Sequence, residues 1–124
     1  HPSTTFVHVT VPLTVHPGRL RELISRVRGR ETAAAQNFRR EQFNELMRAA
    51  YSGREPVFDL ARIESIAPDG TEQSVEWNGR RTRVLASPYT DDGGHLNAEG
   101  RVRVARELIL TLAAAVERRR AGAN

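Results

Sequence analysis

The chain has 124 residues, 39% hydrophobic and 27% charged, which suits one globular domain with a modest core and excludes wholesale disorder. It has no cysteine, so disulfides and thiolate metal sites are excluded, and no apolar run approaches the roughly 20 residues needed to cross a bilayer. The net charge of +4 rests on 19 basic residues that are all arginine, which reads as GC-rich coding rather than phosphate binding, and no nucleic-acid partner is expected.

The opening "HPSTTFVHVTVPLT" has no initiator methionine, no charged leader and no cleavage pattern, so further polypeptide is expected before His1. The β-branched and aromatic run from Thr5 to Val11 predicts a strand, stopped by Pro12. Pro17 and Gly18 supply a turn, and a short helix is expected from about Arg19 to Val27. A second helix begins near Glu31 and Thr32, with Phe38, Phe43, Leu46, Met47 and Ala50 at three- and four-residue spacing as its apolar face and Gly53 as its stop. Val57 and Phe58 form a short strand that ends in Asp59. From Ala67 to Pro88, turn signals in "PDG" and "NGR" flank the β-like pieces "SVEW" and "TRVLA", which predicts a hairpin or an irregular excursion. The last helix runs from about Ala98 to Arg118, capped by Asn97, with Glu99 in its first turn. Val102, Ala105, Leu108, Ile109, Leu112 and Val116 line one side of it.

Strand, helix, strand, helix is the order of an α/β protein with a parallel sheet and right-handed crossovers. Two or three strands are too few to cover both faces of such a sheet and leave an open edge, so the remaining strands are expected upstream of His1. No internal repeat or linker is visible, and the chain reads as one partial domain over residues 1–124.

The chemistry concentrates in "YTDDGGHLN". Asp92 and His95 stand in the spacing D-x-x-H, with two glycines that let the backbone turn tightly enough for a carboxylate to meet an imidazole. A carboxylate on one ring nitrogen fixes the tautomer and leaves the other nitrogen as a general base. The same residues also suit an ordinary turn with a solvated histidine ahead of a helix. His8, His16 and His95 with Asp91 or Asp92 offer zinc-type donors, but nothing in their spacing favours a metal site. Asp59 lies where α/β enzymes often place functional acids and is left unassigned; Trp77 and Tyr89 either line an acyl or aryl pocket or fill the core.

Taken together, "VFDLARIES", the PDG-containing excursion and "YTDDGGHLNAEGRVRVARELI" resemble the C-terminal part of the SGNH hydrolases, also called GDSL esterases and lipases. "TFVHVTVPLT" followed by "FNELMRAAYSGREPVFDLA" is similar to the strand, helix and strand that precede that block in bacterial members, so the resemblance covers nearly the whole chain. It implies the C-terminal portion of a three-layer α/β/α flavodoxin-like fold with a parallel sheet. It implies His95 as the base and Asp92 as its orienter in a Ser-His-Asp triad, with Asp91 as a rival one place outside the spacing. The family's G-D-S-type nucleophile turn, its glycine and its G-x-N-D-type asparagine are not found here. Ser3, Ser25, Ser52, Ser65, Ser74 and Ser87 have no nucleophile-turn context.

The resemblance therefore implies an N-terminal half or companion chain that carries the serine and oxyanion donors, a small-molecule ester substrate, and no metal or organic cofactor. The sequence does not assign a compartment; because many relatives are exported, the resemblance leaves a secreted or periplasmic location open. The chain alone would hold a base and its orienter with nothing to activate. A different class of reading is a catalytically inactive fragment whose sheet edge and apolar faces bind another chain. A basic nucleic-acid-binding domain is the third, with steep salt dependence expected, and the 6% aromatic content argues against it.

Overall fold

The computed structural model describes residues 4–18, 23–24 and 27–121. The helix expected from Arg19 lies largely outside the described residues. Strand β1 (His8–Val9) pairs in parallel with β2 (Val57–Phe58), His8 opposite Val57 and Val9 opposite Phe58. Helix α1 (Ala33–Tyr51) makes the connection between them. Helix α2 (Leu60–Ser65) follows β2 at once, and β3 (Ser74–Trp77) and β4 (Arg80–Arg83) form an antiparallel hairpin. A 3₁₀ turn (Ser87–Tyr89) leads into the loop before α3 (Ala98–Ala121). The chain is thus mixed α/β with a small parallel sheet, and none of its described helices is long and apolar enough to cross a membrane. The excursion after Ala67 is a hairpin, turned by Asn78 and Gly79, both at positive φ (50° and 72°), as a two-residue turn between twisted strands requires.

The strand predicted over residues 5–11 is shorter than expected because the backbone after Thr10 leaves the sheet and is held by side chains. The Asn44 amide takes both main-chain groups of Val11, accepting from its N–H at 2.7 Å and donating to its C=O at 3.0 Å. Asn37 does the same for Thr14, at 3.0 and 2.7 Å. Asn37, Glu41 and Asn44 sit four and three residues apart, so they share one side of α1, and all three are buried. Apart from Ala34 the buried face of α1 is therefore polar, whereas Phe43, Leu46 and Ala50 of the predicted apolar face are exposed.

Helix α3 also differs from expectation. Only Gly100 and Ala115 of its 24 residues are buried. The apolar stripe is outward: Val102 is 70% exposed, Ile109 66%, Leu112 44% and Val116 50%.

The buried apolar residues cluster at Leu13, Ala61, Ala67, Leu85, Ala86 and Tyr89, with Val15 and Leu96 packed against them. This core lies directly beneath the loop that carries the D-x-x-H sequence. Gly100 lets α3 start against this core, since a Cβ there would come within 2.7 Å of the Tyr89 carbonyl oxygen. Gly→Ala inside a helix ordinarily stabilises by up to about 1 kcal/mol. Here the overlap with rigid backbone dominates, and Gly100→Ala is expected to cost about 1–3 kcal/mol, measured by chemical denaturation.

Candidate active site

The loop between the 3₁₀ turn and α3 is closed at its base. Thr90 and Leu96 form an isolated antiparallel bridge, and Asn97 N–H donates to the Tyr89 carbonyl at 2.9 Å. The Asn97 side chain caps α3 through Gly100 N–H at 3.0 Å, and its amide also donates to the Pro88 carbonyl at 3.0 Å and to Asp91 Oδ1 at 3.3 Å. Asn97 therefore joins both ends of the loop to the helix start. Its apex is fixed from below by Val15, whose N–H donates to the Gly93 carbonyl at 2.9 Å. Gly93 has φ +90°, and a Cβ there would lie 2.9 Å from Val15 Cγ2, so both the backbone conformation and the close approach call for glycine.

Within this frame Asp92 and His95 meet. Asp92 Oδ1 accepts from the main-chain N–H groups of His95 at 2.8 Å and Gly94 at 2.9 Å, and from the Thr90 hydroxyl at 3.3 Å. That leaves Oδ2 for the imidazole, 2.6 Å from His95 Nδ1. Asp91, the rival, is held by Asn97 instead. The His95 and Gly94 main-chain donors, with the His95 ring after them, hold the Asp92 carboxyl well below the usual carboxylate range. An ionised carboxylate can only accept, so the proton between them belongs to His95 Nδ1. The neutral ring then carries its lone pair on Nε2.

Asp92 is the only hydrogen-bond partner of the ring among the described residues. The His95 side chain is 93% exposed, so solvent reaches Nε2. Chemically, this is an oriented base open to whatever adjoins it.

An open cleft of about 450 Å³ adjoins the turn, and Val15, His16, Ser87, Thr90, Asp91 and Asp92 are among its lining residues. His95 is not among them. No serine hydroxyl among the described residues bonds to the His95 ring.

The other candidates go elsewhere. His8 bonds Glu55 through Nε2 at 2.6 Å and stacks on Tyr51 with ring centroids 3.6 Å apart. Asp59 caps α2 through Arg62 N–H and is gripped by Arg48, whose Nε and Nη2 each lie 2.8 Å from its oxygens. Burial pushes the Asp59 carboxyl up, and the Arg48 guanidinium more than offsets this, so it stays below its ordinary value. Tyr89 belongs to the core and Trp77 closes the hairpin; neither is among the residues lining the cleft. Among the described residues no three His, Asp or Glu side chains are grouped to hold a metal ion.

One residue of consequence was not singled out from the sequence. Glu64 is 2% exposed on α2 and accepts the Leu13 N–H. A glutamate in "ARIES" carries no sequence signal of burial, because its burial depends on a chain segment 51 residues away.

No protein-family model, curated protein or solved structure matches the chain.

Proposed function

We propose that the chain supplies the histidine base and its orienting aspartate to a serine-dependent carboxylic-ester hydrolase of the SGNH type. The observation that carries this reading is the Asp92–His95 pair, with Nδ1 committed to an ionised carboxylate and Nε2 exposed. His95 Nε2 would take the proton of a serine hydroxyl as that oxygen attacks the ester carbonyl. It would return the proton to the leaving alcohol as the tetrahedral intermediate collapses to an acyl-enzyme. Water activated by the same nitrogen then releases the acid.

The serine and oxyanion donors come in this reading from an N-terminal half or a companion chain, which also completes a three-layer α/β/α flavodoxin-like domain. Two features support that partner. Strand β1 turns the N–H groups of His8 and Thr10 toward β2, and among the described residues no strand pairs with its other side. The outward stripe on α3 supplies the apolar cover a further sheet layer needs, and Thr5 and Val116 share a groove, so the segment leading into β1 lies beside the end of that helix. The same open surface also favours the second reading, a fragment that binds another chain without turnover.

Fluorophosphonate labelling of material purified with this chain, read by intact mass on every polypeptide present, separates the two. A label on a longer or companion polypeptide is the expected result. Co-purification of a partner with no label on any chain would reject the hydrolase in favour of the interaction module.

A further inference from the structure

Among the described residues, Glu64 and Glu41 are the buried acids; Glu41 lies 3.1 Å from Arg83 and 3.5 Å from Arg48, whereas Glu64 has no ion pair with a described residue. It sits at the foot of a short relay to the candidate site. Its carboxylate accepts the Leu13 N–H, and its own carbonyl accepts the Ala86 N–H at 2.9 Å. Between these anchors the segment Leu13–Val15 is bound on both sides. Leu85 N–H donates to the Thr14 carbonyl at 3.1 Å, and Asn37 donates to the same carbonyl and accepts the Thr14 N–H. Two residues beyond Leu13, Val15 donates to Gly93 and packs against its Cα, at the apex of the Asp92–His95 turn.

We propose that Glu64 is a proton-sensitive positioning residue for the Asp92–His95 turn, acting through Leu13 and Val15 on Gly93. The ionised carboxylate holds the Leu13 N–H in a charge-assisted bond. The protonated group accepts that N–H more weakly and must also place its own O–H, so the segment that supports Gly93 relaxes.

The range in which this operates follows from the surroundings. Burial pushes the Glu64 carboxyl up to about 7, against the Leu13 N–H and the charge of Arg40 on α1, both of which pull it down. Arg40 is the only charged group among the described residues whose field shifts it. His16, beside Val15, and His95, in the turn, are the neighbours whose own titration must be separated from it.

The relevance of this coupling to catalysis rests on the proposed triad, but the coupling itself does not. Two NMR measurements on the chain test it. The Glu64 side-chain carboxyl ¹³C signal should titrate with a midpoint near 7, and a midpoint near the ordinary 4.5 overturns the proposal whatever any variant does. In His16→Gln/His95→Gln protein, the Gly93 and Gly94 amide signals should still move with that midpoint. Adding Glu64→Gln should abolish the movement; its persistence in the triple variant overturns the proposal.

A stability profile follows from the same group. The folded state holds the Glu64 proton more tightly than the unfolded chain does. Glu64 therefore contributes most below pH 4.5, and stability falls as pH rises from there to about 7. Glu64→Gln should reduce the fall in Tm between pH 5 and pH 8, and an unchanged difference contradicts the assignment.

Discussion

In the hydrolase we propose, Asp92→Asn is expected to lower kcat by roughly 10⁴-fold while the loop stays folded. The reason is specific to this loop. Asp92 Oδ1 already receives the N–H groups of Gly94 and His95, and those donors need an acceptor. An asparagine has only one oxygen and must keep it there, so its NH₂ faces His95 Nδ1. Nδ1 then has to accept, and the ring proton moves to Nε2, the atom that should be bare. His95→Ala removes the base outright and should cost at least as much. Both are read as kcat and KM for a short-chain p-nitrophenyl ester, with KM changing little because neither group anchors the substrate. Near-normal turnover in either variant rejects the triad.

The second large effect concerns stability. Asn44→Ala is expected to destabilise the chain by about 2–4 kcal/mol, because it strips a partner from both the N–H and the C=O of Val11 where each unsatisfied buried group costs about 1–3 kcal/mol. Set against the roughly 5–15 kcal/mol that holds a typical domain together, this is a large fraction. Asn37→Ala should cost less, since at Thr14 the N–H loses its partner while the C=O keeps the Leu85 N–H. Urea midpoints report both, and Leu46→Ala, on the exposed side of the same helix, should stay within about 0.5 kcal/mol. A comparable loss at Leu46 would mean that the apolar face of α1 is packed after all.

The contrast between these residues shows where the sequence is legible. Periodicity found α1 and α3 and their limits, because helix spacing and caps are local signals: Thr32 accepts from Ala35 N–H, and Asn97 accepts from Gly100 N–H. It misplaced the inward face of α1 because it ranks positions by hydrophobicity. Asn37 and Asn44 are buried by what they bond, namely a backbone segment that cannot stay in a sheet beyond Pro12.

On α3 the stripe was found and its exposure was not. Whether an apolar face is covered depends on what lies opposite it, and local sequence does not carry that. The D-x-x-H pair was readable because two glycines and a three-residue spacing leave few ways for the side chains to lie. The choice of Asp92 over Asp91 follows from geometry: Asn97 takes one carboxylate, and the main chain aims the other at the ring. Glu64 lay beyond reach for the same reason as the face of α3, since its partner is distant in sequence.

The tautomer of His95 decides whether the pair is an oriented base, and it is measured through two- and three-bond ¹H–¹⁵N couplings of the neutral imidazole in this chain. The Asp92 contact predicts protonated Nδ1 and bare Nε2, with the preference lost in Asp92→Ala. A ring protonated mainly on Nε2 in the unaltered chain would mean that Asp92 does not orient His95 as a base, and the pair would then be an ordinary turn.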